Sequence, residues 1–276
     1  MVKMTRVWEA TSDFLNEHGG AVAGITLALV FAPSLVSGLL EAAVTPGVVT
    51  PMTFVFQLLG FVLTIVSLVG TLALTALAIA PARRSEAVGQ GVRRLLPFIA
   101  VMIVLLLAFL VLMIPFIGIA VAGGVDFSAA SVQASLPALS GGTAAALAGY
   151  GLVLFAVLLW VGARLAVLAP VIVAERRGLG AIGRSWRLTR GHGWRIVGVF
   201  LLYLLVAGIL SAAIGAAAGA IGAIAGGGQT GFNIGRVIPA VAMAGVSSLL
   251  TVVQSAFAAK LYVALAPASD LEETFA

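Results

Sequence analysis

The chain has no cysteine and only two histidines, His18 and His192, among its 276 residues. The lack of cysteine excludes a disulfide framework and any thiolate nucleophile or metal ligand. Two histidines are too few for a histidine-built metal centre. Acids are also scarce. Asp13, Asp126 and Asp270 stand far apart, which excludes the clustered aspartates of phospholipid-synthesising transferases. There is no Walker or dinucleotide-binding glycine signature. Gly245-Val246-Ser247-Ser248 has the outline of a serine elbow, but no apolar run contains a histidine to activate it. The chain is therefore expected not to be an enzyme, with no catalytic residue, no metal and no cofactor.

Charge itself is rare. Only 9% of residues are charged, 62% are hydrophobic, and the mean hydropathy is +1.19. Soluble domains carry charge on about a quarter of their residues. A water-soluble globule is excluded, and so is a disordered chain. The few charges are biased: 15 Lys+Arg against 10 Asp+Glu, with an isoelectric point near 10.4. In a soluble protein that balance would suggest nucleic acid. Here it is read against a membrane, and no nucleic-acid partner is expected.

What is abundant is long apolar runs. Six windows, 20–40, 53–80, 95–122, 144–163, 196–224 and 237–265, reach the length of a spanning helix, and none contains an acid. Lipid offers no hydrogen-bond partners, so each window must be helical. The fold class is all-α: a polytopic membrane protein of six transmembrane helices with short interfacial helices. The first window is expected to be a retained span rather than a cleaved signal, since no small-residue cleavage site follows it. Pro115 is expected to kink the third window or end it early. The fourth window ends near Ala163 or continues to Val173. With the first ending, Arg164 sits at the membrane boundary and snorkels. With the second it is buried in lipid. The boundary is favoured.

Six spans put three basic segments on one side. Lys3 and Arg6 precede the first span, Arg83, Arg84, Arg93 and Arg94 follow the second, and Arg176, Arg177, Arg184, Arg187, Arg190 and Arg195 follow the fourth. The other side's connections hold Arg236 alone. The positive-inside rule then places both termini in the cytoplasm. The use of 13 Arg to 2 Lys suggests a GC-rich bacterial genome, so the expected location is a bacterial inner membrane. Residues 1–19 read as an interfacial helix, with Met4, Val7, Trp8, Thr11, Phe14 and Leu15 on its apolar face. Residues 20–266 form the membrane domain and 267–276 an acidic tail.

The two larger basic connections resemble each other at an offset of 94: Arg83 with Arg177, Ala87 with Ala181, Val88 with Ile182, Gly89 with Gly183, Arg93 with Arg187. Each reads as a short amphipathic helix. Val88, Val92 and Leu95 line the apolar face of one, and Leu179, Ile182 and Trp186 that of the other. In the fifth span Gly208, Ala212, Gly215, Gly219 and Gly222 fall on one helix face, a small-residue seam for close helix packing.

The second connection carries a motif: Arg164, Pro170 and Glu175, then Ser185-Trp186-Arg187-Leu188-Thr189-Arg190-Gly191, then Trp194. This stretch resembles a bacterial family of six-helix membrane proteins. The family is named after the membrane domain attached to some glycerophosphodiester phosphodiesterases, and the six-span layout agrees with it. The resemblance implies a membrane module. It carries over no active site, because the fused catalytic barrel's His-Arg-Gly element has no counterpart here. Physically, Pro170 interrupts the helix where the chain leaves the bilayer, and Glu175 pairs with arginines around it. Ser185 caps orphan backbone groups, and Trp186 and Trp194 suit the interface. The arginines form either an ordinary positive-inside loop or a surface for lipid phosphate.

The expected function is a non-enzymatic membrane module that engages anionic lipids or scaffolds envelope and lipid-metabolism proteins at the cytoplasmic face. Its expected partners are membrane lipids, preferentially anionic. Two alternatives stand beside it. One is a permease-like component moving a small or lipidic solute. The other is the membrane part of a phosphodiester-hydrolysing system whose catalytic domain lies elsewhere.

Overall fold

A computed structural model describes residues 4–43, 51–81, 83–125, 127, 140–226 and 234–266. Among these residues there are helices and no strands. The helices are α1 (Met4–Glu17), α2 (Gly19–Ala43), α3 (Pro51–Ile79), α4 (Arg84–Ala122), α5 (Gly141–Arg164), α6 (Leu168–Ala174), α7 (Gly180–Leu188), α8 (Gly193–Gly226) and α9 (Ile234–Leu265). Six segments are long and apolar enough to cross a membrane: α2, α3, α4, α5 with α6, α8 and α9. Large apolar side chains such as Phe61, Leu96, Ile114, Leu152 and Leu202 are exposed along them. In water such a surface would drive association. Against lipid it is the outer wall of a multi-pass membrane protein. The acidic tail and the greater part of the connections at the other end fall outside the described residues.

Two expectations about helix ends are corrected. The first basic connection is not a separate helix, because α4 begins at Arg84 and runs without interruption for 39 residues. At 1.5 Å per residue that is about 58 Å, roughly twice the hydrocarbon thickness. The basic turns at its start therefore stand clear of the apolar layer. Nor does Pro115 end the helix early, since both Pro97 and Pro115 lie inside it. Pro115 leaves the carbonyl four residues back without its donor. The Tyr150 hydroxyl of α5 donates to the next carbonyl, that of Leu112, at 2.6 Å.

Pro33 acts similarly in α2. Its ring cannot accommodate the carbonyl of Leu29, and the helix widens into a π turn over Leu27–Phe31. Gly70 of α3 packs on that turn. A Cβ there would lie 2.8 Å from the Leu29 carbonyl oxygen, so α2 and α3 meet backbone to side-chain-free backbone.

The core sits toward the basic end. Leu72 to Ala78 of α3 are all buried, as are α6, Val101 of α4, and Leu261 and Tyr262 of α9. α1 docks on the same end through Val7, Thr11 and Phe14, with the Lys260 ammonium 4.9 Å from the Phe14 ring. Trp8 stays exposed, beside Phe257. α8 is the most peripheral span. Of its small-residue seam, Gly222 meets α9 backbone, where a Cβ would run into the Gly235 carbonyl, and Gly215 faces Met243. Gly208 and Gly219 have open space beside them, and Ala212 is exposed. The contact face passes through Ala218 and Gly222 instead of the whole seam.

Candidate functional site

The fourth span is broken just after Arg164. α5 ends at Arg164, residues 165–167 form a turn, and α6 re-forms the helix to Ala174. The break thus precedes Pro170 instead of falling on it. Pro170 occupies the first turn of α6, where its missing N–H removes no helical bond. Its ring excludes the Ala166 carbonyl from a regular ladder, which favours the turn just upstream. Every residue of α6 except Ala169 is buried, and Ala169 also packs on the core, so this last part of the span is enclosed by protein.

A broken helix end leaves carbonyls without donors. Here α7 supplies them. The Ser185 hydroxyl donates to the Arg164 carbonyl at 2.9 Å, and the Thr189 hydroxyl lies 3.2 Å from the same oxygen. Thr189 also donates within its own helix, to Ser185 at 2.9 Å. Both side chains are buried. Ser185 therefore completes the end of α5 and does not cap α7. This shifts the buried face of α7. Ala181, Ser185 and Thr189 face inward with Ile182, whereas Leu179 and Trp186 are exposed. In the first connection Ala87 and Gly91 are buried, Val88 packs on the core, and Val92 is exposed.

Glu175 closes α6 at its C-terminal end, where the helix dipole disfavours a carboxylate. Arginine offsets this. Arg184 Nε donates to the two carboxylate oxygens at 2.9 and 3.1 Å, and Arg177 Nε lies 3.0 Å from Oε2. The hydroxyl of Tyr262, fully buried in α9, donates to Oε1 at 3.2 Å. The loop is shaped by two left-handed residues, Arg176 at φ 52 and Gly191 at φ 88. The first ends α6; the second turns α7 into α8 and would strain any side chain.

The Arg164 side chain lies inside an aromatic cage. Its guanidinium is 4.8 Å from the Trp160 ring and 5.4 Å from the Trp186 ring. Trp194 stands against Trp160, with ring centroids 5.2 Å apart. Gly193 makes room for this, since a Cβ there would sit 3.2 Å from Trp160 and 3.5 Å from the guanidinium carbon. Arg164 Nε and Nη1 are buried and have no hydrogen-bond acceptor among the described residues. A cation–π contact at a partly buried site contributes about 1 kcal/mol, yet it leaves the in-plane N–H groups of the guanidinium unsatisfied.

The other arginines separate into groups. Arg84 of α4 donates to the Gly20 carbonyl and pins α4 to α2. Arg94 is partly desolvated and lies within reach of the like charges of Arg176 and Arg93, so the first and second connections adjoin. Arg83, Arg93, Arg187 and Arg190 are exposed and make no salt bridge among the described residues. Arg195 is exposed at the start of α8. No group of three His, Asp or Glu side chains able to hold a metal lies together among the described residues.

Trp160 and Tyr262 are the side chains of this cluster that lie outside both the motif and the basic connection. Trp160 was detectable as an aromatic one helical turn before Arg164. Tyr262 lies 87 residues from Glu175, and no local pattern marks it.

Residues 140–274 match a family model described as the membrane domain of glycerophosphoryl diester phosphodiesterase. The matched region includes α5 to α9 and so contains the whole Arg164–Trp194 cluster. It names a membrane domain, not a catalytic one. No curated protein and no solved structure matches the chain.

Proposed function

We propose that the chain is a non-enzymatic membrane module whose basic end engages anionic lipid headgroups, with that end facing the cytoplasm in a bacterial inner membrane. The observation that carries this reading is Arg164. Its guanidinium lies over two indole rings at the end of α5, and its buried Nε and Nη1 have no acceptor among the described residues. A headgroup phosphate arriving at this depth supplies the missing negative charge. Exposed Arg93, Arg187 and Arg190 extend the same positive surface, each contributing about 1 kcal/mol near an anionic leaflet. Glu175 engages Arg177 and Arg184, so the local acid is committed inside the fold.

The test is retention of anionic lipid by detergent-purified protein, measured by mass spectrometry. Arg187→Gln with Arg190→Gln should lower retained phosphatidylglycerol relative to phosphatidylethanolamine. Arg164→Lys should lower it too, because an ammonium lacks the planar fork of donors that a guanidinium offers a phosphate. Unchanged lipid profiles in correctly folded variants would reject the proposal.

A further inference from the structure

A second polar feature lies at the opposite end of the bundle. In α3, Thr53, Gln57, Gly60, Thr64 and Ser67 recur at helical spacing, and Thr71 and Thr75 extend the stripe inward. Several of these hydroxyls bond back to the preceding turn, as Thr64 does to Gly60 at 2.9 Å. That satisfies the hydroxyl but does not make the face apolar. A polar stripe along a spanning helix turns toward protein or water and away from lipid.

Here it turns toward a hollow between α2, α3 and α9. Two adjoining cavities of ≈ 450 and ≈ 710 Å³ share Ser37, Glu41, Thr64 and Arg236 in their walls. The larger also touches Ser34, Ser67 and Ser247. Ser67 is 16 residues beyond Pro51, about 24 Å along the helix, and Ser247 is 13 beyond Ile234, about 20 Å. The hollow thus reaches the middle of the membrane. It stops there. One turn further in, Gly70 closes on the π turn of α2, and the buried run of α3 begins. Closed by core on its inner side, the hollow suits a binding site and not a pore.

We propose that this hollow binds a zwitterionic group, one bearing an ammonium and an anion, entering from the end opposite the basic connections. Glu41 and Arg236 line both cavities, one carboxylate and one guanidinium. A lone anion would meet Glu41 and a lone cation Arg236; a group with both charges complements the pair. The serine and threonine hydroxyls lining the walls supply neutral donors and acceptors. The volume fits the 300–1,000 Å³ range of small-molecule sites. The charged group is the end of a lipid headgroup or a free solute of the same chemistry.

The chain's lack of cysteine makes the test direct. Ser67→Cys, Ser247→Cys and, as a lipid-facing control, Leu58→Cys are made in the full chain and placed in phosphatidylcholine-free vesicles of phosphatidylglycerol. A membrane-impermeant thiol reagent should label the two serine positions and spare Leu58→Cys. Phosphoethanolamine should slow that labelling, and Arg236→Gln should abolish the protection. Protection by soluble phosphoethanolamine identifies a free solute. Protection only when phosphatidylethanolamine is added to the vesicles identifies a lipid headgroup. Labelling no faster than at Leu58→Cys overturns the cavity. Labelling without protection by either probe, or equal protection by phosphate alone or ethanolamine alone, overturns the zwitterion site.

Discussion

Replacing Glu175 with glutamine keeps the shape of the side chain and removes its charge. Its two arginine partners are not equivalent. Arg177 is 52% exposed and Arg184 only 16%, while Glu175 itself is 8% exposed. An exposed pair is worth about 0–1 kcal/mol. Breaking a buried pair costs about 3–5 kcal/mol, because the remaining charge is left uncompensated. Arg184 keeps some contact with water, so Glu175→Gln should cost about 3 kcal/mol, at the lower end of that range. Tyr262 adds little to this figure, since the glutamine oxygen still accepts its hydroxyl proton. The assay is reversible unfolding in mixed dodecyl sulfate and maltoside micelles, run as two double-mutant cycles. Coupling of Glu175→Gln with Arg184→Gln should reach about 2 kcal/mol, and with Arg177→Gln it should stay below about 1. Equal couplings, or a single-mutant loss under about 1 kcal/mol, would refute the assignment of Arg184 as the main counter-charge.

Ser185→Ala and Thr189→Val each remove a donor near the Arg164 carbonyl. Either alone should destabilise by about 1 kcal/mol and the pair by more than the sum, measured in the same micelles, because only the double variant leaves that oxygen without a donor. Gly222→Leu should disrupt the α8–α9 contact and broaden the gel-filtration profile of the purified protein, whereas Gly208→Leu should be silent. For orientation, single cysteines at Ser131 and Gln229 should react with an impermeant reagent applied outside intact cells and one at Ser85 should not; the reverse pattern would invert the proposed topology. Ser85 serves here because it is exposed, whereas Ser185 is fully buried and would resist labelling on either side.

The spans were legible because lipid leaves a chain little choice: twenty apolar residues without acid must be helix. Their ends were less so. Residues 84–94 are polar and helical at once, and hydropathy cannot distinguish a helix leaving the membrane from a loop. The break at 165–167 follows Arg164 directly, but its own residues, Leu165, Ala166 and Val167, are apolar like those of α6, so composition does not distinguish a turn from a continuing helix. Ion pairing of Glu175 followed from its being the lone acid among arginines, but its link to Tyr262 depends on how α6 packs against α9. The cage around Arg164 was half visible: Trp186 belongs to the motif, while Trp160 and the close approach at Gly193 depend on α5 and α8 meeting. The polar stripe of α3 was written plainly in the spacing 53, 57, 60, 64, 67. It passes unnoticed when a window is judged by its mean hydropathy and its lack of acid.

The offset of 94 gains physical content from burial. Ala87 and Ala181 are both fully enclosed, and Val88 and Ile182 both pack on the core. Gly89 and Gly183 both face open space, and Arg93 and Arg187 are both exposed. Gly91 and Ser185, also 94 apart, are both buried, and each is preceded by a buried run, Leu72 to Ala78 in α3 and α6 in the second half. Matching residues thus do matching work: a buried span end, a turn, then a helix laid on the core by one small residue per turn. The halves diverge where chemistry was added. α4 continues straight through Pro97, while Gly191 breaks the second copy between α7 and α8. That break lets Trp194 and Gly193 swing against Trp160 and Arg164. Position 91 needs only a glycine that fits against Val69 and Ala73, but its counterpart Ser185 holds the end of a broken helix. The caged arginine, the committed glutamate and the hydroxyl pair all belong to the second connection and the span end before it, and the first connection shares their packing frame without those groups.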